Sequence, residues 1–133
     1  VSMISASSMS VLLVDDQTSI RSILRNTLAQ IGFVQIAGVR NGVEALEHLK
    51  SNSVHLIISD FNMPDMDGLE LLKAVRSNAR TAKTGFIMLT GQASKELVQQ
   101  AIAEGVNNFL AKPFTASSLK SRIEAVFGPI CGA

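Results

Sequence analysis

Five charged or hydroxyl side chains follow short apolar runs of the sequence. They are Asp15 and Asp16 after Val11–Val14, Asp60 after Val54–Ile58, Thr90 after Phe86–Leu89, and Lys112 after Phe109–Ala111. If these runs are neighbouring strands of one parallel sheet, the five side chains emerge at one edge, where such sheets bind ligands. All five aspartates of the chain lie in two stretches, 15–16 and 60–67, which also indicates a site in these loops.

The chemistry predicted for this set is phosphoryl transfer assisted by a metal ion. Three converging carboxylates repel one another and raise one another's pKa. A hard divalent cation such as Mg²⁺ or Mn²⁺ removes that conflict, because it prefers oxygen ligands. Lys112 and Thr90 suit the oxygens of a phosphoryl group, and an aspartate can itself accept that group. We therefore predict Asp60 as the acceptor, with Asp15 and Asp16 holding the metal.

The elements that position these residues alternate along the chain. Four apolar runs are nearly continuous, which is typical of strands covered on both faces. The remaining run, Val34–Val39, alternates partly and is predicted as an edge strand. A segment of helical period follows each run, and two helix starts carry an N-cap residue with Glu three positions later, Asn41 with Glu44 and Asp67 with Glu70. The pattern predicts a doubly wound (βα)5 sheet of the α/β class.

The composition fits one domain and excludes several classes of protein. The chain has 133 residues, of which 47% are hydrophobic and 17% charged, with a net charge of +1. It is too apolar for a disordered chain, and it has neither a basic cluster for nucleic acid nor an apolar run long enough for a membrane. One cysteine, Cys131, cannot form an internal disulfide, and we expect a cytoplasmic protein.

Four segments resemble the motifs of a known family. They are VLLVDD at 11–16, IISDFNMPDMDGLELLK at 57–73, IMLTG at 87–91 and FLAKPF at 109–114. In this order and spacing they resemble the receiver domain of response regulators in two-component signalling, of the chemotaxis CheY type. The resemblance covers residues 10–127. It implies a flavodoxin-like three-layer sandwich with a five-stranded parallel sheet in the order 2-1-3-4-5.

The resemblance also implies roles for the predicted site. Asp60 resembles the aspartate that a histidine kinase or histidine phosphotransfer protein phosphorylates. Asp16 resembles the direct Mg²⁺ ligand and Asp15 a ligand acting through water, with the backbone carbonyl of Asn62 completing the protein ligands. Lys112 resembles the lysine that contacts the phosphoryl group, and its bond to Pro113 is expected to be cis.

Thr90 and Phe109 resemble the pair that reorients together on activation. Asn62 and Gln92 lie at positions that tune dephosphorylation in this family. The expected output is a change at the surface formed by the fourth helix, fifth strand and fifth helix. The residues expected to be exposed there are Lys95, Val98, Phe109, Ala111 and Arg122.

Boundaries and alternatives follow from the same comparison. We expect residues 1–9 to be a disordered tail or a cloning remnant, 10–128 the receiver domain, and 129–133 a C-terminal tail. The protein is expected to be a stand-alone chemotaxis-type regulator acting on a target such as a flagellar motor switch, and not an enzyme in the usual sense. The alternative is a receiver domain from a multidomain regulator or hybrid kinase. An aspartate-nucleophile phosphatase is a more remote alternative, since Asn62 stands where such enzymes carry a second acid. A flavin-binding module is disfavoured, because this chain has no phosphate-binding loop after the first strand.

Other reactive side chains are given structural roles. Asp65 and Asp67 are predicted to serve a turn and a helix N-cap. His48 is predicted on a helix surface and His55 at the start of the third strand, and Cys131 is expected to be an inert tail residue. None of these is predicted to join the site.

Overall fold

Five parallel strands form the centre of the molecule. The computed structural model describes residues 4–91 and 94–131. Two short strands at the ends of the described chain, β1 and β7, are numbered with the rest. The strands of the central sheet are β2 (Ser10–Val14), β3 (Gln35–Val39), β4 (Leu56–Asp60), β5 (Gly85–Thr90) and β6 (Asn108–Ala111). Their order is β3-β2-β4-β5-β6. If the five strands of this sheet are numbered from one, without β1, this is the predicted flavodoxin-like order 2-1-3-4-5.

Five helices cover the two faces of this sheet. They are α1 (Thr18–Ile31), α2 (Gly42–Ser51), α3 (Gly68–Ser77), α4 (Lys95–Ala103) and α5 (Ala116–Phe127). Alternate residues of β2 enter different cores, because successive side chains of a strand point to opposite faces. Val11 and Leu13 pack with α1 and α5, whereas Leu12 and Val14 pack with α2, α3 and α4. The predicted three-layer sandwich is confirmed.

Side-chain caps fix two of the helix starts as the sequence indicates. Asp67 accepts a hydrogen bond from the Glu70 amide, and the Glu70 carboxylate accepts one from the Asp67 amide. Asn41 likewise caps α2 through the Glu44 amide, although Glu44 reaches back to the amide of Arg40 rather than to that of Asn41. Within the described ranges, no helix has the length and apolar character needed to cross a membrane.

The two terminal segments differ from the tails expected there. β1 (Ile4–Ser5) pairs in parallel with β7 (Ile130–Cys131) in a separate two-stranded sheet. Ala6, Met9 and Ile130 are buried in the core beneath α1 and α5. Residues 4–9 are therefore part of the folded molecule, because their apolar side chains cover the amino-terminal end of that core. Residues 1–3 lie outside the described range.

Candidate functional site

Three carboxylates meet at the carboxyl end of the sheet. The register pairs Val14 of β2 with Ser59 of β4. The next residues, Asp15 and Asp60, therefore lie side by side at the carboxyl ends of neighbouring strands. Asp16 follows in the loop. One carboxylate oxygen from each of the three aspartates lies within 4.8 Å of the other two. The parallel register thus brings together the acids that the sequence separates by more than forty positions.

Lys112 supplies the positive charge of this group. It directly follows β6, and its amide donates a hydrogen bond to the Thr90 carbonyl at 2.8 Å. Its Nζ donates to Asp60 Oδ1 at 3.0 Å and lies 3.7 Å from Asp15 Oδ2. The Lys112–Pro113 peptide bond is cis. A single ammonium therefore faces three carboxylates.

Asp15 is the most constrained of the acids. It is fully buried, and its Oδ2 has no hydrogen-bond partner, while its Oδ1 accepts from the Gln17 amide at 2.9 Å. Burial raises the pKa of the Asp15 carboxyl above its ordinary value, and the charges of Asp60 and Asp16 act in the same direction. The Gln17 hydrogen bond and the Lys112 charge oppose this shift of the pKa. The group thus has more negative charge than its protein partners satisfy.

These residues fit a hard divalent cation. The orphaned Asp15 oxygen and the crowded carboxylates are the features that a cation would relieve. Each of the three aspartates offers a carboxylate oxygen as a possible metal ligand, and this is the ligand type that Mg²⁺ prefers. An open cleft of about 700 Å³ lies over the group, with room for water and a phosphoryl group. It is lined by Asp16, Gln17, Asp60, Asn62, Gly91 and Lys112.

The two predicted switch residues lie beside the same cleft. Thr90 ends β5 and is buried, and Phe109 on the neighbouring strand β6 is half-buried. Both line a second cavity of about 370 Å³, together with Val98, Ala111 and Arg122. Four of the five residues expected at the output surface therefore share one cavity. The fifth, Lys95, is exposed at the start of α4, and Gln92 lies outside the described residues.

Gly68 is a residue of the site that the sequence reasoning missed. A Cβ atom at this position would lie 2.5 Å from the Asp60 carbonyl oxygen and 2.8 Å from Met88 Sδ. The Gly68 amide donates to the Phe61 carbonyl at 2.8 Å. The start of α3 is therefore packed directly against the backbone of Asp60. The available signal was a glycine in the first helical turn, where it is a poor helix former.

The remaining reactive residues lie away from the acids. Asp65 adopts a positive φ of 68° in the turn before α3, a conformation that Asp tolerates better than most residues. Asp67 caps α3, as predicted. His55 Nδ1 is 3.0 Å from the Ser10 amide at the opposite end of the sheet. His48 lies on α2, and Cys131 lies in β7.

Comparisons with known proteins give the same family. The sequence matches the family model of the response regulator receiver domain over residues 11–124. It is 48% identical over 125 residues to a probable chemotaxis protein CheY of Rhizobium etli, covering 94% of this chain and 97% of that protein. The solved structure of chemotaxis response regulator CheY4 of Vibrio cholerae has a TM-score of 0.81 at 36% identity, covering 94% of this chain and 99% of that one.

A receiver domain from a larger protein is also similar in structure. The signal receiver domain of a signal transduction histidine kinase from Syntrophus aciditrophicus has a TM-score of 0.81 at 29% identity, over 90% of this chain and 89% of that one. The family match, the fold and the acidic cleft agree with one another. The chain belongs to the response regulator receiver domain family, whose members are phosphorylation-dependent signalling switches.

Proposed function

We propose that this chain accepts a phosphoryl group on Asp60 from a histidine kinase or a histidine phosphotransfer protein, and then changes its affinity for a target protein. The contact between Lys112 Nζ and Asp60 Oδ1, at 3.0 Å within the group of three acids, carries this proposal. Asp60 is the acid that combines a hydrogen bond to the ammonium with a place in the cleft lining. Asp15 is fully buried, and Asp16 has no ion pair among those of the described residues.

The proposed transfer exchanges one bond to phosphorus for another. A carboxylate oxygen of Asp60 bonds to the phosphorus of the donor's phosphohistidine, and the phosphorus–nitrogen bond breaks. The electron pair stays on the imidazole nitrogen of the donor, which is left neutral or takes a proton from solvent. Lys112 can keep its contact with the phosphorylated side chain, and its charge offsets that of the new oxygens. A cation bound by Asp15, Asp16, Asp60 and the Asn62 carbonyl would neutralise further phosphoryl charge.

The proposed switch uses Thr90 and Phe109. Thr90 stands at the carboxyl end of β5, next to the strand that carries Asp60. Its hydroxyl can donate a hydrogen bond to a phosphoryl oxygen. The cavity that Thr90 shares with Phe109 gives the aromatic ring room to move when Thr90 turns toward the site. Phosphorylation would then favour one of two packings of the α4, β6 and α5 surface.

We propose a chemotaxis regulator as the first pathway to test. The Rhizobium etli relative is named a chemotaxis protein, and this chain spans 97% of its length. A flagellar motor switch component is then the first target to examine. The similarity to a histidine kinase receiver supports the alternative of a receiver in a larger protein. Capture experiments with the beryllofluoride-loaded protein and with Asp60→Asn would distinguish these partners.

Labelling with acetyl phosphate tests the proposed class of function. With Mg²⁺ present, a switch accumulates one phosphoryl group per chain and releases it at a moderate rate. A phosphatase would turn over many equivalents of acetyl phosphate, and a flavin module would bind FMN without being labelled. Labelling that does not depend on Mg²⁺, or turnover of many equivalents of acetyl phosphate without accumulation of a labelled chain, would contradict the proposal.

Asn62 and Gln92 are proposed to tune the lifetime of the phosphoryl group. Both are amides that can orient an attacking water molecule, and Asn62 lines the cleft beside Asp60. We expect a moderate rate of self-dephosphorylation and a changed rate in Gln92→Leu. Phosphate release after acetyl phosphate loading measures both proteins. Identical decay curves would remove Gln92 from the account.

A further inference from the structure

Arg21 connects helix α1 to the acidic loop. It is half-buried in the first turn of α1, and its Nη1 donates a hydrogen bond to the Asp15 carbonyl oxygen at 2.6 Å. Its Nη2 donates to Thr18 Oγ1 at 3.2 Å. The guanidinium thus bridges the main chain of the acidic loop and the first residue of the helix.

The start of α1 has no side-chain N-cap. Its N-cap residue, Gln17, makes no side-chain cap hydrogen bond, whereas α2, α3, α4 and α5 each have one. A missing N-cap side chain leaves the first amides of a helix without their usual side-chain partner. Arg21 therefore adds a second side-chain link between the acidic loop and α1, beside the hydrogen bond from the Gln17 amide to Asp15 Oδ1.

The side chain of Arg21 packs against Gly38 of the edge strand β3. A Cβ atom at Gly38 would lie 3.4 Å from Arg21 Cδ and 3.8 Å from its Nε. A residue larger than alanine at Gly38 would therefore displace the arginine stem. The Asp15 amide also donates to the Val39 carbonyl at 3.2 Å. The acidic loop is thus held by β3 on one side and by Arg21 on the other.

The contact acts on the main chain of the loop and not on its carboxylates. Among the ion pairs of residues 4–91 and 94–131, none includes Arg21. The Asp15 carbonyl that it binds belongs to the peptide bond that joins Asp15 to Asp16. Residues that fix the orientation of metal ligands change metal affinity without touching the ion.

We propose that Arg21 is a positioning residue for the divalent cation site, acting by holding the Asp15–Asp16 loop. This inference rests on the proposed function, because it needs Mg²⁺ to bind to Asp15, Asp16 and Asp60. Arg21 fixes where the Asp16 carboxylate stands relative to the other two acids. Its effect comes from the geometry of the guanidinium and not from its charge.

Arg25 offers a matched control on the same helix. It lies one turn further along α1, and its Nη1 donates to a different main-chain carbonyl, that of Ile36 in β3, at 2.8 Å. Gly38 lies beside both arginines, since a Cβ there would be 3.4 Å from Arg25 Nη2. Arg25 therefore resembles Arg21 in residue type and kind of contact, but not in contact with the acidic loop.

The test measures Mg²⁺ affinity by isothermal titration calorimetry on the unphosphorylated protein, alongside thermal unfolding in EDTA. We expect Arg21→Gln to weaken Mg²⁺ binding about tenfold, and Arg25→Gln to leave it unchanged while lowering thermal stability to a similar extent. Arg21→Lys keeps the charge but cannot bridge two acceptors in the same plane. We therefore expect its Mg²⁺ affinity to be nearly as low as that of Arg21→Gln. Gly38→Val, which displaces the stem, should weaken Mg²⁺ binding as well and serves if Arg21→Gln does not fold.

Equal Mg²⁺ affinity in Arg21→Gln and the unmodified protein would overturn the inference. Full affinity in Arg21→Lys would also overturn it, because charge alone would then suffice. If the unmodified protein binds Mg²⁺ and is labelled by acetyl phosphate, either result leaves the proposed function standing. If it binds no Mg²⁺, both the proposed function and the role of Arg21 are wrong.

Discussion

At the scale of single residues, the group of acids combines opposing effects. The buried Asp15 carboxylate has one oxygen without a hydrogen-bond partner and lies beside two other acids. The Lys112 ammonium is the nearby positive charge, and it is hydrogen-bonded to Asp60 rather than to Asp15. An arrangement that is prepared for a cation is therefore costly when no cation is bound.

The first prediction concerns Asp15→Asn in the absence of metal. We expect the free energy of unfolding at neutral pH in EDTA to rise by about 1–3 kcal/mol, because a buried charge is removed. With saturating Mg²⁺ the order reverses, since the unmodified protein gains binding energy that the variant lacks. Urea unfolding with and without Mg²⁺ measures both effects, and Asp65→Asn, which removes an exposed acid from the β4–α3 turn, is the control.

The pH dependence of that difference has a definite sign. The pKa of Asp15 is raised in the folded protein above its ordinary value of 3.8, so between 3.8 and the raised pKa the folded state holds a proton that the unfolded state has released. The penalty is present above the raised pKa and is lost as the pH falls toward 3.8. The advantage of Asp15→Asn should shrink over that range. An advantage that grows on acidification would contradict the assignment.

At the scale of elements, the position of α3 depends on Gly68. The helix begins so close to β4 that a side chain at Gly68 would meet the Asp60 carbonyl oxygen. This backbone cannot easily shift, because the Gly68 amide is hydrogen-bonded to the Phe61 carbonyl. A shift of the start of α3 would therefore also displace the backbone of Asp60, the proposed acceptor.

The second prediction tests this close approach. We expect Gly68→Ala to lower the free energy of unfolding by about 1–3 kcal/mol through overpacking, and to slow labelling by acetyl phosphate because the backbone of Asp60 is displaced. Gly91→Ala is the control for stability, since a Cβ atom there would have no neighbour within 4 Å. Equal stability and labelling in Gly68→Ala and the unmodified protein would contradict this explanation.

Elements with a clear local signal were predictable from the sequence. The apolar runs of β2, β4 and β5 are buried on both faces, and the N-caps at Asn41 and Asp67 use local hydrogen bonds. The acids and Lys112 could be placed at one edge because a parallel sheet brings the ends of its strands together. The contacts of Gly68 and Arg21 were not predicted, because they depend on distances between elements that no local pattern encodes.

At the scale of the whole molecule, the two ends of the described chain close one core. β1 and β7 pair beneath α1 and α5, and Glu124 of α5 accepts a hydrogen bond from the Ile130 amide at 2.9 Å. This pairing has no strong signal in the sequence, because each strand has two residues and the segments lie more than a hundred positions apart.

The third prediction concerns this closure. We expect Ile130→Ala to lower the free energy of unfolding by about 2–4 kcal/mol, because Ile130 is only 3% exposed and its loss leaves a cavity. Ile102→Ala is the control, since that side chain is 61% exposed on α4. Mg²⁺ affinity should be unchanged in both variants. Equal stability of the two variants would show that the terminal pairing contributes little.

The most direct test of the central claim is to locate the phosphoryl group. The unmodified protein, Asp60→Asn and Asp65→Asn are each treated with acetyl phosphate and Mg²⁺, and intact mass spectrometry and peptide mapping follow. We expect the unmodified protein and Asp65→Asn to gain one phosphoryl group, located on Asp60 wherever it is mapped, and Asp60→Asn to gain none. Labelling of Asp60→Asn at the rate of the unmodified protein, or labelling that persists in EDTA, would contradict the account.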